Sequence, residues 1–208
     1  MPNKPLSRAT LGRLPEYISY LRLSVEGPMV SAATMARALG YGEVLVRRDL
    51  NAVCAAGRPK VGFPVEVLMA DIEEALGVND IAPVVVVGAG RLGRALQQHR
   101  GFRQYGFEIV AGFDINPHKW QPEWDHPVLP MEELSSFCRE NEIRMGILTV
   151  PAAAAQQVCD SLVDCGITAI WNFAPCRLSV PEHVTLKQED LALSLAHLSL
   201  QARLREKE

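Results

Sequence analysis

The segment that most narrows what this chain can become is "VVVVGAGRLGRAL", residues 84–96. Four β-branched residues without polar alternation suit a strand covered on both faces. They run directly into Gly88, Gly90 and Gly93, spaced Gly-x-Gly-x-x-Gly, and then into a segment compatible with a helix. In that spacing Gly88 makes the tight turn after the strand. Gly90 lets the backbone approach a pyrophosphate, and Gly93 lets the helix lie close to the sheet. The helix start then offers free N–H groups and the positive end of its dipole to phosphates. Ala89, Arg91 and Leu92 fall inside the same loop, where Arg91 reads equally as a phosphate support or a solvated surface residue. Asp114 ends the next strand, 21 residues after Gly93. An acid there accepts hydrogen bonds from the adenosine ribose and repels a 2′-phosphate, which favours NADH and NAD+ over their phosphorylated counterparts.

Around this segment, strands are expected at 84–87, 108–113, 144–150 and 167–171, with helices near 91–99, 131–141, 152–165 and 189–204. Alternation of this kind predicts an α/β Rossmann domain built on a doubly wound parallel sheet. Two further strand ends, "LTVP" with Thr149, Val150 and Pro151, and "NFAP" with Asn172 and Phe173, fall at the carboxyl edge where such sheets bind ligands. They either line the nicotinamide side of the site or simply stop their strands. No Tyr-x-x-x-Lys dyad occurs, and the five histidines stand in no evident pairing with an acid. A hydride-transferring enzyme needs a proton donor and a substrate-orienting cation beside the nicotinamide. The expectation is therefore a chain that is not an enzyme and uses the dinucleotide as a signal. The alternatives are an NAD-dependent oxidoreductase with an N-terminal helical appendage, or a nucleotide-binding scaffold whose N-terminal part contacts protein.

Charge separates the N-terminal part from the rest. Residues 1–65 carry a net +5 within a chain of net −3, leaving −8 on the remainder, which suggests that the first part meets a polyanion. Pro15 suits a first helical turn, with Leu14, Ile18, Leu21 and Val25 on one stripe and Gly27-Pro28 ending it. Ser31 and Gly40 suit the two caps of "AATMARAL". A third helix is expected from about Glu43 to Ala56, burying Val46, Leu50 and Val53 and leaving Arg47, Arg48 and Asn51 off that stripe. The Gly and Pro spacing of "GRPKVGFPV" then suits a hairpin with Arg58 and Lys60 at its tip. Three short helices and a basic hairpin describe a winged helix-turn-helix: Arg and Asn of the third helix read base edges of double-stranded DNA, and the wing cations meet phosphates. A small helical subdomain with a solvated basic face is the competing description. A fourth helix follows at 65–77, and 77–83 reads as a linker. The domains are accordingly 1–78, 79–187 and a C-terminal helix at 188–208. Five scattered cysteines without a Cys-x-x-Cys pair read as reduced thiols rather than a disulfide framework or zinc site, so no metal is expected. Without a transmembrane run or signal-peptide core, no membrane partner is expected and a cytoplasmic protein is.

At the level of whole motifs the chain resembles the Rex family of redox-sensing transcriptional repressors. The residues that carry the resemblance are "RLPEYISYLR" (13–22), "VRRDL" (46–50), "GAGRLGRAL" (88–96), "FDINP" (113–117), "LTVPAAAAQQVCDSLVDCGI" (148–167) and "WNFAPCRLSVP" (171–181). The resemblance implies a homodimer with winged helices, NADH-binding Rossmann domains and a C-terminal helix swapped between protomers. It further implies operator binding when free or with NAD+, and release by NADH. By position it places Arg47 and Arg48 on the recognition helix and Arg58 and Lys60 in the wing, and Arg13 and Asn51 are also expected toward DNA. It also implies a switch pair, Arg22 with Asp190, for which a solvated Arg22 is the alternative. The chain departs from the family pattern after "VRRDL", where "NAVCAAG" and "RPKVGF" replace an aromatic-containing segment and a glycine-rich wing, and His99 stands where some relatives carry an aromatic hydroxyl.

Overall fold

The computed structural model describes residues 6–78, 80–121, 123 and 125–205. It divides into two compact units, Met1–Asp80 and Ile81–Glu208. Asn79, where the sequence places a domain boundary, and residues 206–208 of the C-terminal segment lie outside the described residues.

The first unit is four helices and a small antiparallel ladder. α1 spans Arg8–Ser24, α2 Ala32–Leu39, α3 Glu43–Val53 and α4 Val65–Leu76, while β1 (Met29–Val30) pairs with β2 (Phe63–Pro64). α1 begins seven residues before the proline start expected from the sequence, because Ser7 caps it by accepting the Thr10 N–H at 3.1 Å. Pro15 consequently sits inside the helix, on an exposed position, where it removes the N–H that would bond the Leu11 carbonyl. The stripe closes over Leu14, Tyr17, Ile18 and Leu21, which pack in a core with Met35, Val46, Leu50, Leu68 and Ile72, all at most 1% exposed. Each such side chain contributes about 1.5–3 kcal/mol of apolar burial. α3 stops at Val53, three residues short of the expected end. Gly40 and Gly77 end α2 and α4 in the left-handed conformation. In the wing, Arg58 bridges Gly62 antiparallel and Lys60 holds a positive φ of 64° at the tip.

The second unit is a parallel six-stranded sheet in the order β5-β4-β3-β6-β7-β8. Its strands are β3 (Ala82–Val87), β4 (Phe107–Asp114), β5 (Val128–Pro130), β6 (Met145–Leu148), β7 (Ala169–Asn172) and β8 (Thr185–Gln188). Strand order reverses between β3 and β6, the point where a doubly wound sheet opens a crevice at its carboxyl edge. α5 (Arg91–Gln97), α6 (Leu134–Glu140), α7 (Ala152–Asp164) and α8 (Leu191–Arg205) complete the unit. Val85, Val87, Phe113 and Leu148 join one core cluster, and Val84, Val86, Ile109 and Ile147 another, so the valine run is covered on both sides. β5 and β8 escape sequence reading because one is three residues long and ends in proline, and the other, "TLKQ", is a polar edge strand.

Candidate functional site

Two regions gather the candidate residues, one in each unit. In the second unit β3 delivers Gly88 with φ of 102°, a conformation open to glycine; a Cβ there would lie 2.9 Å from the Thr149 backbone carbonyl. At Gly93 a Cβ would stand 1.9 Å from the Gly88 carbonyl oxygen, so α5 can lie on the turn only without one. Over Gly90 a Cβ would meet nothing within 4 Å, leaving an open approach to the backbone. These three environments fit a dinucleotide's phosphates: two glycines close the turn and the third leaves room above it. Arg91 and Leu92 are exposed beside the opening, and Ala89 is buried beneath it.

Asp114 lies against the same loop. One carboxylate oxygen accepts the Ala89 N–H and the Lys119 ammonium, each at 2.8 Å, and the other accepts the Asn116 N–H at 2.9 Å. Burial pushes its pKa up, but the Lys119 ammonium and the Asn116 and Ala89 amides outweigh that effect and hold the carboxyl below its usual range. Asp114 thus stays ionised and ties β4 to the glycine loop. Lys119 is a site residue that sequence reading missed; its only signal was a cation five residues past the strand end.

The other strand ends separate into supports and walls. Thr149 sends its hydroxyl to the carbonyls of Gly88 at 2.7 Å and Val87 at 3.1 Å, so it braces the loop from behind rather than facing a ligand. Asn172 is fully buried and bonds to the backbone of Ala174 and Cys176 and to Gln188, so its amide is also turned inward. Both orientations have one cause: a polar side chain at a strand end satisfies buried backbone groups first. Val150 packs against the core and Pro151 precedes α7. Phe173 does face an opening. With Leu92, Pro175, Cys176, Glu189 and Leu193 it lines a cleft of about 480 Å³.

In the first unit Arg47, Asn51, Arg58 and Lys60 share one cleft of about 540 Å³ with the start of α2. Arg47 is paired with Glu43 one turn earlier on α3. Arg48 is exposed on the same helix. Arg13 is not part of this group, because its guanidinium grips both oxygens of Asp49, at 2.7 and 2.9 Å. Asp49 also accepts from the hydroxyls of Thr10 and Tyr17, each at 3.0 Å. It joins α1 to α3 from within, a role hidden in "VRRDL" between two arginines and a leucine.

Two family models match the chain, one described as "CoA binding domain" over residues 79–176 and one as "Putative DNA-binding protein N-terminus" over residues 5–51. Curated relatives named redox-sensing transcriptional repressor Rex span nearly the full chain. The Carboxydothermus hydrogenoformans protein is 40% identical over 95% of this chain and 97% of its own. The Porphyromonas gingivalis protein (strain ATCC 33277) is 40% identical over 90% and 87%, respectively. The chain belongs to the Rex family. Among solved structures, RSP, described as a Rex-family repressor, superposes at a TM-score of 0.84 in complex with beta-NADH and 0.83 in complex with beta-NAD+ and operator DNA. RSP is 33% identical and covers 98% of this chain in both.

In this Rex chain the residues of the expected switch pair each have a partner in their own unit. Arg22 bonds Glu73 of α4 at 2.7 Å. Asp190 caps α8 by accepting the Leu193 N–H at 2.9 Å. Glu73 was not legible beforehand, since nothing in a helix sequence announces a partner 51 residues away. Among the described residues, no cluster of three or more His, Cys, Asp or Glu is placed to hold a metal, and no helix is long and apolar enough to cross a membrane.

Cys54, at the end of α3, is 1% exposed, and burial with a hydrogen bond to Asp71 pushes its thiol up to about 11. The nucleophilic thiolate is therefore scarce at neutral pH. Maleimide labelling of the native protein should modify the half-buried Cys165 and Cys176 well before Cys54. Equal labelling rates, read by peptide mass spectrometry, would contradict a closed α3 end.

Proposed function

We propose that this Rex chain is a repressor that binds operator DNA as a homodimer and is released by NADH, with the dinucleotide acting as signal rather than reagent. The observation that carries the reading is the presence in one chain of both regions: a cation-lined cleft between α3 and the wing, and a glycine turn open only above Gly90. Arg48 and Asn51 meet base edges in the major groove, while Arg58 and Lys60 meet phosphates. Gly88, Gly90 and Gly93 would hold the pyrophosphate, Asp114 the adenosine ribose, and Phe173 the ring end. When bound, NADH supplies differential binding free energy between two arrangements of the dimer, and it shifts them only by that difference.

The shape of α8 supports the dimer. Its exposed leucines fall on two opposite faces at 100° per residue, Leu191, Leu195 and Leu198 on one and Leu193, Leu200 and Leu204 on the other. A helix apolar on opposite sides is stable only between two surfaces. The sheet of the second unit also leaves an apolar trough of about 350 Å³, lined by residues such as Phe107, Ile109, Met145 and Trp171. We assign that trough to α8 of a second copy, giving a domain-swapped C-terminal helix beyond the end of β8 at Gln188.

An electrophoretic shift of an operator fragment, titrated separately with NADH and NAD+, tests the reading. NADH should dissociate the complex at concentrations where NAD+ leaves it intact. Arg48→Ala should weaken operator binding by about 5- to 150-fold, the loss of one charge-assisted contact, with NADH affinity retained. Operator binding that ignores NADH would sink the proposal.

A further inference from the structure

The cleft beside the glycine turn has one wall made by the loop after β7 and another made by the root of α8. Phe173, Pro175 and Cys176 stand on the first side, Glu189 and Leu193 on the second, and Leu92 of α5 also lines the cleft. What joins the two walls is a pair of amides. Asn172 and Gln188 are register partners at the ends of β7 and β8. Asn172 donates to the Gln188 side-chain oxygen at 2.8 Å and to the Cys176 carbonyl at 3.1 Å, and accepts the Ala174 N–H at 2.9 Å. Gln188 donates in turn to the Ala174 carbonyl at 3.0 Å. Directly after it, the Glu189 N–H bonds the Asn172 carbonyl at 2.8 Å, and Asp190 caps α8.

We propose that the Asn172–Gln188 amide pair is the coupler that makes α8 respond to the contents of this cleft. The inference rests on the sensor reading above and names the positioning residues through which that sensor works. Past the Glu189–Asn172 backbone bond, the loop at 173–176 and the start of α8 are tied to each other by these side-chain bonds. A ring seated against Phe173 displaces or fixes Ala174. Through Gln188 the displacement reaches the residues on which α8 begins, and Asn172 stays fixed because it is buried in the sheet. A hydrogen-bonded link between two rigid elements transmits a displacement that a flexible loop would absorb.

Gln188→Ala removes the bridge without opening the core, since Gln188 stands on the exposed edge strand. Gln188→Glu keeps the acceptor for Asn172 and loses the donor to Ala174. Three quantities are read for each protein: NADH affinity by fluorescence titration, operator affinity with and without saturating NADH, and exchange of the Ala174 amide in the ligand-free protein. The wild-type chain should lose at least about tenfold in operator affinity on saturation with NADH, within the usual range of allosteric coupling. Gln188→Ala should still bind NADH, within about fivefold of wild type, the loss expected for one hydrogen bond. It should hold operator nearly as well with NADH as without, exchange the Ala174 amide faster, and leave Gln188→Glu intermediate. Full release by NADH in Gln188→Ala would overturn the coupler while leaving the sensor reading intact. Abolished NADH binding in that variant would overturn it too, making Gln188 a binding residue. A wild-type chain that ignores NADH would overturn the sensor reading and this inference together.

Discussion

Gly93→Ala is expected to abolish NADH binding and to lower the melting temperature, whereas Gly90→Ala is expected to lose binding and keep the melting temperature. The two glycines lie three residues apart in one motif, and the difference comes from what surrounds each. An added methyl at Gly93 would stand 1.9 Å from the Gly88 carbonyl oxygen and 2.8 Å from the Thr149 hydroxyl. Neither neighbour can yield cheaply, because the first is backbone and the second is held by two carbonyls. Alanine in a helix gains about 1 kcal/mol over glycine, yet overpacking of this kind costs about 1–3 kcal/mol and shifts the backbone. The overlap outweighs the propensity, and α5 must lift away from the turn. At Gly90 nothing stands within 4 Å, so a methyl group costs the ligand-free protein nothing in contacts and occupies only the approach to the backbone. Calorimetric titration with NADH and thermal unfolding of both variants check this. A Gly90→Ala protein that binds NADH as wild type does would show that the open space serves no ligand.

That contrast also explains which parts of the site were legible in the sequence. Gly88 and Gly93 could be read because one residue type alone permits their geometry, and Gly40 and Gly77 end helices for the same reason. The placement of Asp114 at a strand end was legible from spacing, while its grip by Lys119 was not. Thr149 and Asn172 lie at the strand ends where the sequence puts them, and the structure adds their direction, inward to buried backbone groups. A sequence gives the position of a polar side chain, whereas its direction depends on which buried carbonyl or amide lies unpaired nearby. The partner of Arg13 is hidden for a related reason: a cation in a basic segment looks available until its acid, 36 residues away, is brought beside it. β8 was invisible because edge strands need no apolar run, yet it carries Gln188.

Asp49 offers the sharpest test of what holds the N-terminal unit together. It lies on the buried stripe of α3 with Val46, Leu50 and Val53, an acid where the pattern calls for an apolar residue. Its side chain is fully buried, and that of Arg13 is 17% exposed. Burial pushes the Asp49 pKa up, but hydrogen bonds from Arg13, Tyr17 and Thr10 outweigh it and hold the carboxyl below its usual value. Burial, and then the bond to Asp49, push the Tyr17 hydroxyl up to about 12. Removing one partner of a buried ion pair costs about 3–5 kcal/mol, and the partial exposure of Arg13 puts Asp49→Ala near the lower end. For a unit of this size the whole stability is about 4–12 kcal/mol, so the loss is a large share of it. The first unfolding transition followed by circular dichroism should fall by about 10 °C or more. The depressed pKa also fixes a sign. The stability Asp49 contributes is complete above the unfolded carboxyl value near 4 and is lost as pH falls through the lower folded value. Wild-type protein should therefore lose stability in that acid range more steeply than Asp49→Ala. Operator affinity should drop with the variant even at neutral pH, since α3 loses the bonds that orient it against α1. A variant that melts within about 2 °C of wild type would mean that the apolar core alone sets the position of α3.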